Sequence, residues 1–223
     1  MIKTQPRYFV PFLAGPTNSN YLTMGWLNLV FSLLFYWITA SFFQTPTMTS
    51  LFLIIAIFSI ACIAFSFMKR MTQQFEVISM ALVFIQIIIL IFLIDFMALL
   101  MFLSGFGSEK NLNLATNLPL SIFIAIIGLL FLGSLIYFAG LYRKNQNRSE
   151  TVSPKKEKSR KEQMAKDSVI VFAVILLAGS FIKGKVATFF GLALAILCTF
   201  LFSALIIDAI YGMRFVKNRS SNK

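Results

Sequence analysis

The chain has 223 residues, of which 58% are hydrophobic and 13% charged, with 20 Lys and Arg against 8 Asp and Glu, a formal net charge of +12. Soluble domains carry about 25% charged residues, so this chain lacks the polar side chains to coat a globule of its size. It has 26 Phe and no His, which excludes any mechanism that requires an imidazole. The composition predicts an all-α integral membrane protein.

Apolar stretches long enough to cross a bilayer recur along the chain. A spanning helix needs about 20 mainly apolar residues. Five stretches meet this length: 21–43, 51–68, 77–103, 119–142 and 186–213. A sixth, 168–182, is short but wholly apolar, and it either spans a thin or locally pinched bilayer or is re-entrant. The sequence therefore predicts a bundle of six transmembrane helices, without the alternating pattern of membrane β-strands.

The distribution of cations predicts the orientation of this bundle. With both termini in the cytoplasm, 17 of the 20 Lys and Arg lie in cytoplasmic segments, and only Lys110, Lys183 and Lys185 face outward. Each connecting segment then obeys the positive-inside rule. A re-entrant 168–182 stretch would instead place the basic C-terminal tail outside. We therefore predict an N-in, C-in multi-pass protein of the cell membrane.

The predicted segments divide the chain into five parts. They are a cytoplasmic or interfacial N-terminal segment (1–20), transmembrane helices 1 to 4 (21–142), a basic cytoplasmic segment (143–167), transmembrane helices 5 and 6 (168–213), and a basic cytoplasmic tail (214–223). The first apolar run follows Lys3 and Arg7, as in a signal peptide. It is longer than the roughly 7–15 residues of a secretory core, however, and no small-x-small site ends it. We therefore expect an anchored helix there.

The basic cytoplasmic segment carries nine cations and four acidic residues. Its densest part is Lys155, Lys156, Lys158, Arg160 and Lys161. Cations near a membrane surface bind anionic headgroups at about 1 kcal/mol each, so contact with anionic lipid or with a protein partner is one interpretation. The other is a solvated segment that sets topology. No aromatic residue is interleaved with the cations, which argues against nucleic-acid binding by stacking.

Two carboxylates lie within the predicted helices, where charge is costly and often functional. Asp95 lies toward the outer side of the third predicted helix, and Asp208 lies close to the inner end of the sixth. Asp95 is interpreted either as an ion pair with Lys183 or Lys185, or as an ion or proton site. Gln86 is nine residues from Asp95 and so points about 180° away. Asp208 is close enough to the inner surface to snorkel or to pair with Arg214.

Small residues recur every four positions along the sixth predicted helix. They are Ala187, Gly191, Ala195, Thr199 and Ser203. We label this sixth predicted helix (186–213) α6 and call these five residues the α6 seam. Small side chains at this spacing let two helix backbones approach closely. The seam predicts tight packing, either within one bundle or against another subunit.

Catalytic and metal-binding chemistry is not indicated. Without His, the Ser–His, Cys–His and metalloprotease arrangements cannot form, and the two intramembrane carboxylates lie at different depths. Cys62 and Cys198 have no neighbouring Cys or His that would complete a metal site. We expect no enzyme activity, no metal and no cofactor.

In helix number, topology and composition, the whole chain resembles small Phe- and Ile-rich membrane proteins of low-GC Gram-positive bacteria, which include ABC export permease subunits and bacteriocin-immunity proteins. The resemblance carries no residue-level motif. The α6 seam, the lack of catalytic chemistry and the basic cytoplasmic segment favour a non-enzymatic subunit or accessory of a transport, export or self-immunity assembly, with a membrane or cytoplasmic partner such as a transport ATPase, or with a second copy. The alternative is a stand-alone permease or channel for an ion or small solute, with Asp95 as its coupling group.

Overall fold

The computed structural model describes residues 19–43, 46–107, 117–146 and 184–220, and every regular element in these ranges is helical. A 3₁₀ helix and a π-helix flank the first α-helix, at Ser19–Met24 and Thr39–Phe43. The α-helices are α1 (Gly25–Ile38), α2 (Pro46–Phe67), α3 (Lys69–Gln74), α4 (Glu76–Ser104), α5 (Leu118–Gln146) and α6 (Lys185–Ser220).

Within the described residues, five helical stretches are long and apolar enough to cross a membrane. They are Tyr21–Phe43, Pro46–Phe67, Glu76–Ser104, Leu118–Lys144 and Lys185–Arg214. Each corresponds to one of the five longer stretches predicted from the sequence. The predicted sixth crossing at 168–182 and the basic segment 143–167 lie wholly or almost wholly outside the described residues. The described fold is that of a helical, multi-pass membrane protein.

Local sequence signals explain where several helices begin. Pro46 occupies the first position of α2, where its missing N–H costs nothing. Asn117 precedes α5, and its Oδ1 accepts a hydrogen bond from the Leu120 backbone N–H at 3.2 Å, as an N-cap residue does. Gly184 has a positive φ of 68° immediately before α6, a conformation that glycine adopts without steric cost.

α1, α2 and α4 run alternately up and down. Thr49 and Thr39 meet at 3.2 Å beside the α1–α2 connection, so α1 and α2 are antiparallel. Phe52 of α2 contacts Phe35 of α1 and Phe96 of α4, with ring centroids 5.5 and 4.9 Å apart. Stacked and tilted aromatic pairs at these distances add to the energy of burial, and this three-helix contact forms the centre of the core.

α5 and α6 are parallel. Ser134 of α5 lies beside Ser203 of α6, and eight residues further along both helices Tyr142 stacks on Tyr211, with ring centroids 5.3 Å apart. The end of α5 and the beginning of α6 therefore lie at opposite ends of the bundle.

α4 runs antiparallel to α6 and packs along most of its length. The Thr188 hydroxyl donates to the Phe102 carbonyl oxygen at 3.3 Å near the start of α6. Further along α6, Thr199 meets Asp95, which is earlier in α4. The far end of α6 returns to the N-terminal end of α1, because Leu22 and Ala209 pack in one buried cluster. The start of α1 and the end of α6 therefore lie at the same end of the bundle.

The outer surface of the described bundle is apolar. Large hydrophobic side chains are exposed on every long helix, with Val30 at 63%, Ile54 at 63%, Ile136 at 75% and Phe189 at 76%. In water such a surface would drive association, but it is the surface that a hydrocarbon environment requires. It fits a bundle that lies in lipid.

Candidate functional site

Asp95 lies in the interior of α4 and is held by α6. The Thr199 hydroxyl, which is fully buried, lies 3.0 Å from Asp95 Oδ1 and 3.1 Å from Oδ2 and donates to the carboxylate. Asp95 lies nine residues before Ser104, the last residue of α4, and is therefore about 14 Å from that end of the helix at 1.5 Å per residue. The hydrogen bond from Thr199 fixes the orientation of the Asp95 carboxyl group against α6.

The other side of Asp95 borders a cavity of about 450 Å³ between α4 and α5. Its walls include four aromatic rings, Phe92 and Phe96 of α4 and Phe123 and Phe131 of α5, and one side chain of α2, Met48. Asp95 is the only polar side chain among the described residues that line it. We call this space the Asp95 cavity. It combines an apolar, aromatic wall with a single oriented carboxylate, the usual composition of a small-molecule site.

The structure separates Asp95 from Lys185, one of the two lysines that the sequence suggested as ion-pair partners. Lys185 is exposed at the start of α6, and Thr199 is fourteen residues further along, about 21 Å on an α-helix. No lysine side chain spans that distance. Lys183 lies outside the described residues. Thr199, which the sequence identified only as a packing residue, is the group that contacts Asp95.

Gln86 faces away from the Asp95 cavity and contacts α1. Asn28 Nδ2 donates to the Gln86 backbone carbonyl at 3.0 Å and also to the side-chain oxygen Oε1 of Gln86. Both side chains are completely buried. Sequence reasoning did not single out Asn28, although an amide within the apolar run LNLVF was a signal that would have found it.

The Asn28–Gln86 pair belongs to a small polar cluster between α1, α2 and α4. The Cys62 thiol adjoins Gln86. Asn28 Oδ1, Gln86 Nε2 and Ser59 Oγ, all buried, have no hydrogen-bond partner among the described residues. Buried polar atoms of this kind ordinarily bind water. We call these four residues the amide cluster.

The α6 seam lies against α4 for most of its length. All five of its residues are buried: Ala187, Gly191, Ala195, Thr199 and Ser203. At Gly191 the two backbones are so close that an added Cβ would come within 2.5 Å of the Ala98 carbonyl oxygen and 2.8 Å of the Phe102 nitrogen. Only glycine permits this separation. The small residues therefore serve close packing within the chain.

The seam also takes part in a hydrogen bond between α5 and α6. The Ser203 hydroxyl donates to the Thr199 carbonyl oxygen at 2.6 Å. The Ser134 hydroxyl of α5 donates to the Ser203 hydroxyl oxygen at 2.7 Å. Side-chain hydrogen bonds of this kind join helices where water is absent. Together with the bond from Thr199 to Asp95, they connect α4, α6 and α5.

Asp208 is fully buried at the other end of α6. Tyr142 and Tyr21 are close enough to interact with its charge. Arg214, which the sequence suggested as its partner, is exposed, and its guanidinium lies 5.7 Å from the centre of the Tyr211 ring. Asp208 therefore does not snorkel to the surface, because its side chain is fully buried among the described helices. Thr199 and Asp208 are nine residues apart, so they point to opposite sides of α6.

The remaining predicted groups add no further site. Among the described residues no cluster of three or more His, Cys, Asp or Glu is arranged to hold a metal ion. Cys62 and Cys198 are free and buried. Lys155, Lys156, Lys158, Arg160 and Lys161 lie outside the described residues.

Comparison with known proteins identifies no similar protein. No family model, no curated protein and no solved structure matches the chain. The candidate function therefore depends on the Asp95 cavity itself.

Proposed function

We propose that the protein is a small membrane permease that moves an ion or a small solute, with Asp95 as the coupling group. The observation that carries the proposal is the position of Asp95, which is anchored by Thr199 on one side and borders a cavity of about 450 Å³ on the other. Ionisable groups inside a membrane commonly mark transport pathways. A carboxylate that only stabilised helix packing would not need to border a space large enough for a solute.

The α6 seam favours this function over that of an accessory subunit. The accessory hypothesis, with an ATPase or a second copy as partner, drew on three features: the small-residue seam, the lack of catalytic chemistry and the basic segment 143–167. The seam is buried against α4 of the same chain, so it is not the surface that such a partner would bind.

The proposed topology has six crossings. α5 and α6 are parallel, and Tyr211, at the level of the α5 end, is 26 residues or about 39 Å from the start of α6. The chain between Gln146 and Gly184 has to return over this distance. Its apolar stretch, 168–182, is about 22 Å long as a helix, which suits a crossing rather than a re-entrant turn.

The proposed orientation places both termini on the cytoplasmic side of the cell membrane. Support comes from the common end of the bundle at which α1 begins and α6 ends, together with the 17 of 20 cations that this orientation places inside. Asp95 then lies in the outer half of the membrane, and the basic segment 143–167 is cytoplasmic and available to anionic headgroups. No enzyme activity, metal or nucleic acid forms part of the proposal.

Flux through proteoliposomes tests the function directly. The purified protein is reconstituted, and uptake of H⁺, Na⁺, K⁺ and a panel of small organic solutes is followed in the wild type, Asp95→Asn and Glu76→Gln. The control removes one carboxylate from the exposed start of the same helix. We expect at least one species to be transported and Asp95→Asn to lower its flux about tenfold or more, because intramembrane charged groups mark transport pathways, while Glu76→Gln stays near wild type. Absence of flux for the whole panel, or equal flux in Asp95→Asn, contradicts the proposal.

A further inference from the structure

We infer that the Asp95 cavity binds a monovalent organic cation with an apolar body. The inference depends on the same site as the proposed function and specifies its ligand. Three features of the cavity support it: its single carboxyl group among the described lining residues, its aromatic wall and its volume.

The charge of the cavity selects the sign and number of charges on the ligand. Asp95 is the only polar group that lines the cavity among the described residues, so one positive charge is balanced there and an anion is repelled. A second positive charge would lie uncompensated in an apolar environment, which is costly. The Thr199 hydroxyl already donates to Asp95, so the carboxylate is oriented before the ligand arrives.

The wall of the cavity selects an organic ion over a metal ion. A bare metal cation needs several oxygen ligands, six or more for Mg²⁺ and Ca²⁺, and the described lining offers one carboxylate. Phe92, Phe96, Phe123 and Phe131 instead present aromatic surface, which attracts organic cations through the ring quadrupole. The volume, about 450 Å³, lies within the range of roughly 300–1,000 Å³ usual for small-molecule sites.

Gly128 provides a way to fill the cavity without disturbing the helices. It lines the cavity on α5, and a Cβ added there meets no atom within 4 Å. A Gly128→Leu side chain therefore projects into the space that the ligand would occupy. Gly133 lies on the same helix, is equally free of contacts at its Cβ and does not line the cavity, so Gly133→Leu is the matched control.

Equilibrium binding of tetraphenylphosphonium to the purified protein in mild detergent tests the inference. Tetraphenylborate, which has the same shape and the opposite charge, serves as the ligand control. We expect saturable binding of the cation to the wild type and to Gly133→Leu, with affinity lowered at least about tenfold in Asp95→Asn and in Gly128→Leu, and no saturable binding of the borate. Size-exclusion profiles and helical content show that each variant is folded, and Asp95→Glu, which keeps the charge, is expected to restore part of the affinity.

Three results would overturn the inference: no saturable binding of tetraphenylphosphonium to folded wild type, equal affinity in Asp95→Asn, or equally tight binding of the borate. Binding without any flux supports the ligand class and contradicts the permease function. Flux of an inorganic ion that depends on Asp95, without binding of the organic cation, supports the function and overturns the ligand class.

Discussion

Asp95 and Asp208 are both carboxylates within long apolar helices, but their surroundings differ. Asp95 is half-buried, borders a cavity and has a hydroxyl group on one side. Asp208 is completely buried beside Tyr142 and Tyr21. A solute that enters from the membrane reaches the first carboxylate and not the second. The two residues are therefore expected to differ in chemical accessibility as well as in function.

Labelling with dicyclohexylcarbodiimide measures this difference. The reagent is apolar and converts accessible carboxyl groups into stable N-acylurea adducts that peptide mass spectrometry assigns to single residues. We expect an adduct on Asp95 and at least about tenfold less on Asp208, since a fully buried group is reached only when the structure opens locally.

Gly128→Leu provides the control for the route of access. It leaves both carboxylates in place and fills the space beside Asp95, so the adduct on Asp95 is expected to decrease. Comparable labelling of Asp208 would contradict the difference in accessibility between the two carboxylates. Labelling of Asp95 that Gly128→Leu does not change would show that the reagent does not arrive through the cavity.

For single residues, the sequence predicted which polar side chains lie in the helices, but it did not predict which residues they contact. A carboxylate in an apolar run is visible without a structure, and Asp95 was found in that way. Its contact with Thr199 was not predictable, because the periodicity of one helix does not reveal which residue of another helix it meets. Asn28 is uncharged, and it was missed although Gln86, its partner, was noticed. The packing of α4 against α6 and against α1 determines these two contacts.

Among the helices, α4 has the central position. It carries Asp95, contacts Asn28 of α1 through Gln86, and packs against the α6 seam. The closest approach is at Gly191, where backbone atoms of the two helices leave no room for a methyl group. Because the seam holds Thr199 against Asp95, the spacing of α4 and α6 also sets the geometry of the candidate site.

Gly191→Ala tests this role of the seam. The added Cβ would come within 2.5 Å of a backbone oxygen, so the helices have to separate, and overpacking of this kind costs about 1–3 kcal/mol. We expect a lower free energy of unfolding when the protein is titrated with sodium dodecyl sulfate in mixed micelles.

Gly133→Ala is the matched control for this measurement. Its added Cβ meets nothing within 4 Å, and replacing glycine by alanine within a helix favours the helix by roughly 0.5–1 kcal/mol. Stability that is unchanged or slightly higher is therefore expected. Equal stability of Gly191→Ala and the wild type would contradict close packing of α6 on α4.

The sequence predicted the positions of the long helices well and their internal form less well. Hydrophobic length alone located the five described crossings to within a few residues of their ends. It did not predict that the first crossing combines a 3₁₀ turn, an α-helix and a π-helix. In the π-helical part the Thr39 hydroxyl donates to the Phe35 carbonyl at 2.7 Å, and such local competition for backbone groups is not visible in hydropathy.

On the scale of the whole molecule, the parallel arrangement of α5 and α6 supports the proposed six-crossing topology. Two parallel helices that follow each other in the chain require a return between them, and this return is the proposed sixth crossing. In the proposed orientation, both termini lie on one side of the membrane and Asp95 lies in its outer half. The sidedness of the basic segment and of the C-terminal tail is therefore the most direct test of the proposed architecture.

This sidedness is measured with single cysteines and a membrane-impermeant maleimide applied to intact and to permeabilised cells. The two native cysteines are buried, so the wild-type background serves, and the positions are Lys110→Cys, Arg160→Cys and Lys223→Cys. We predict labelling of the first in intact cells and of the other two only after permeabilisation. Labelling of Arg160→Cys and Lys223→Cys from opposite sides of the membrane would contradict the six-crossing architecture.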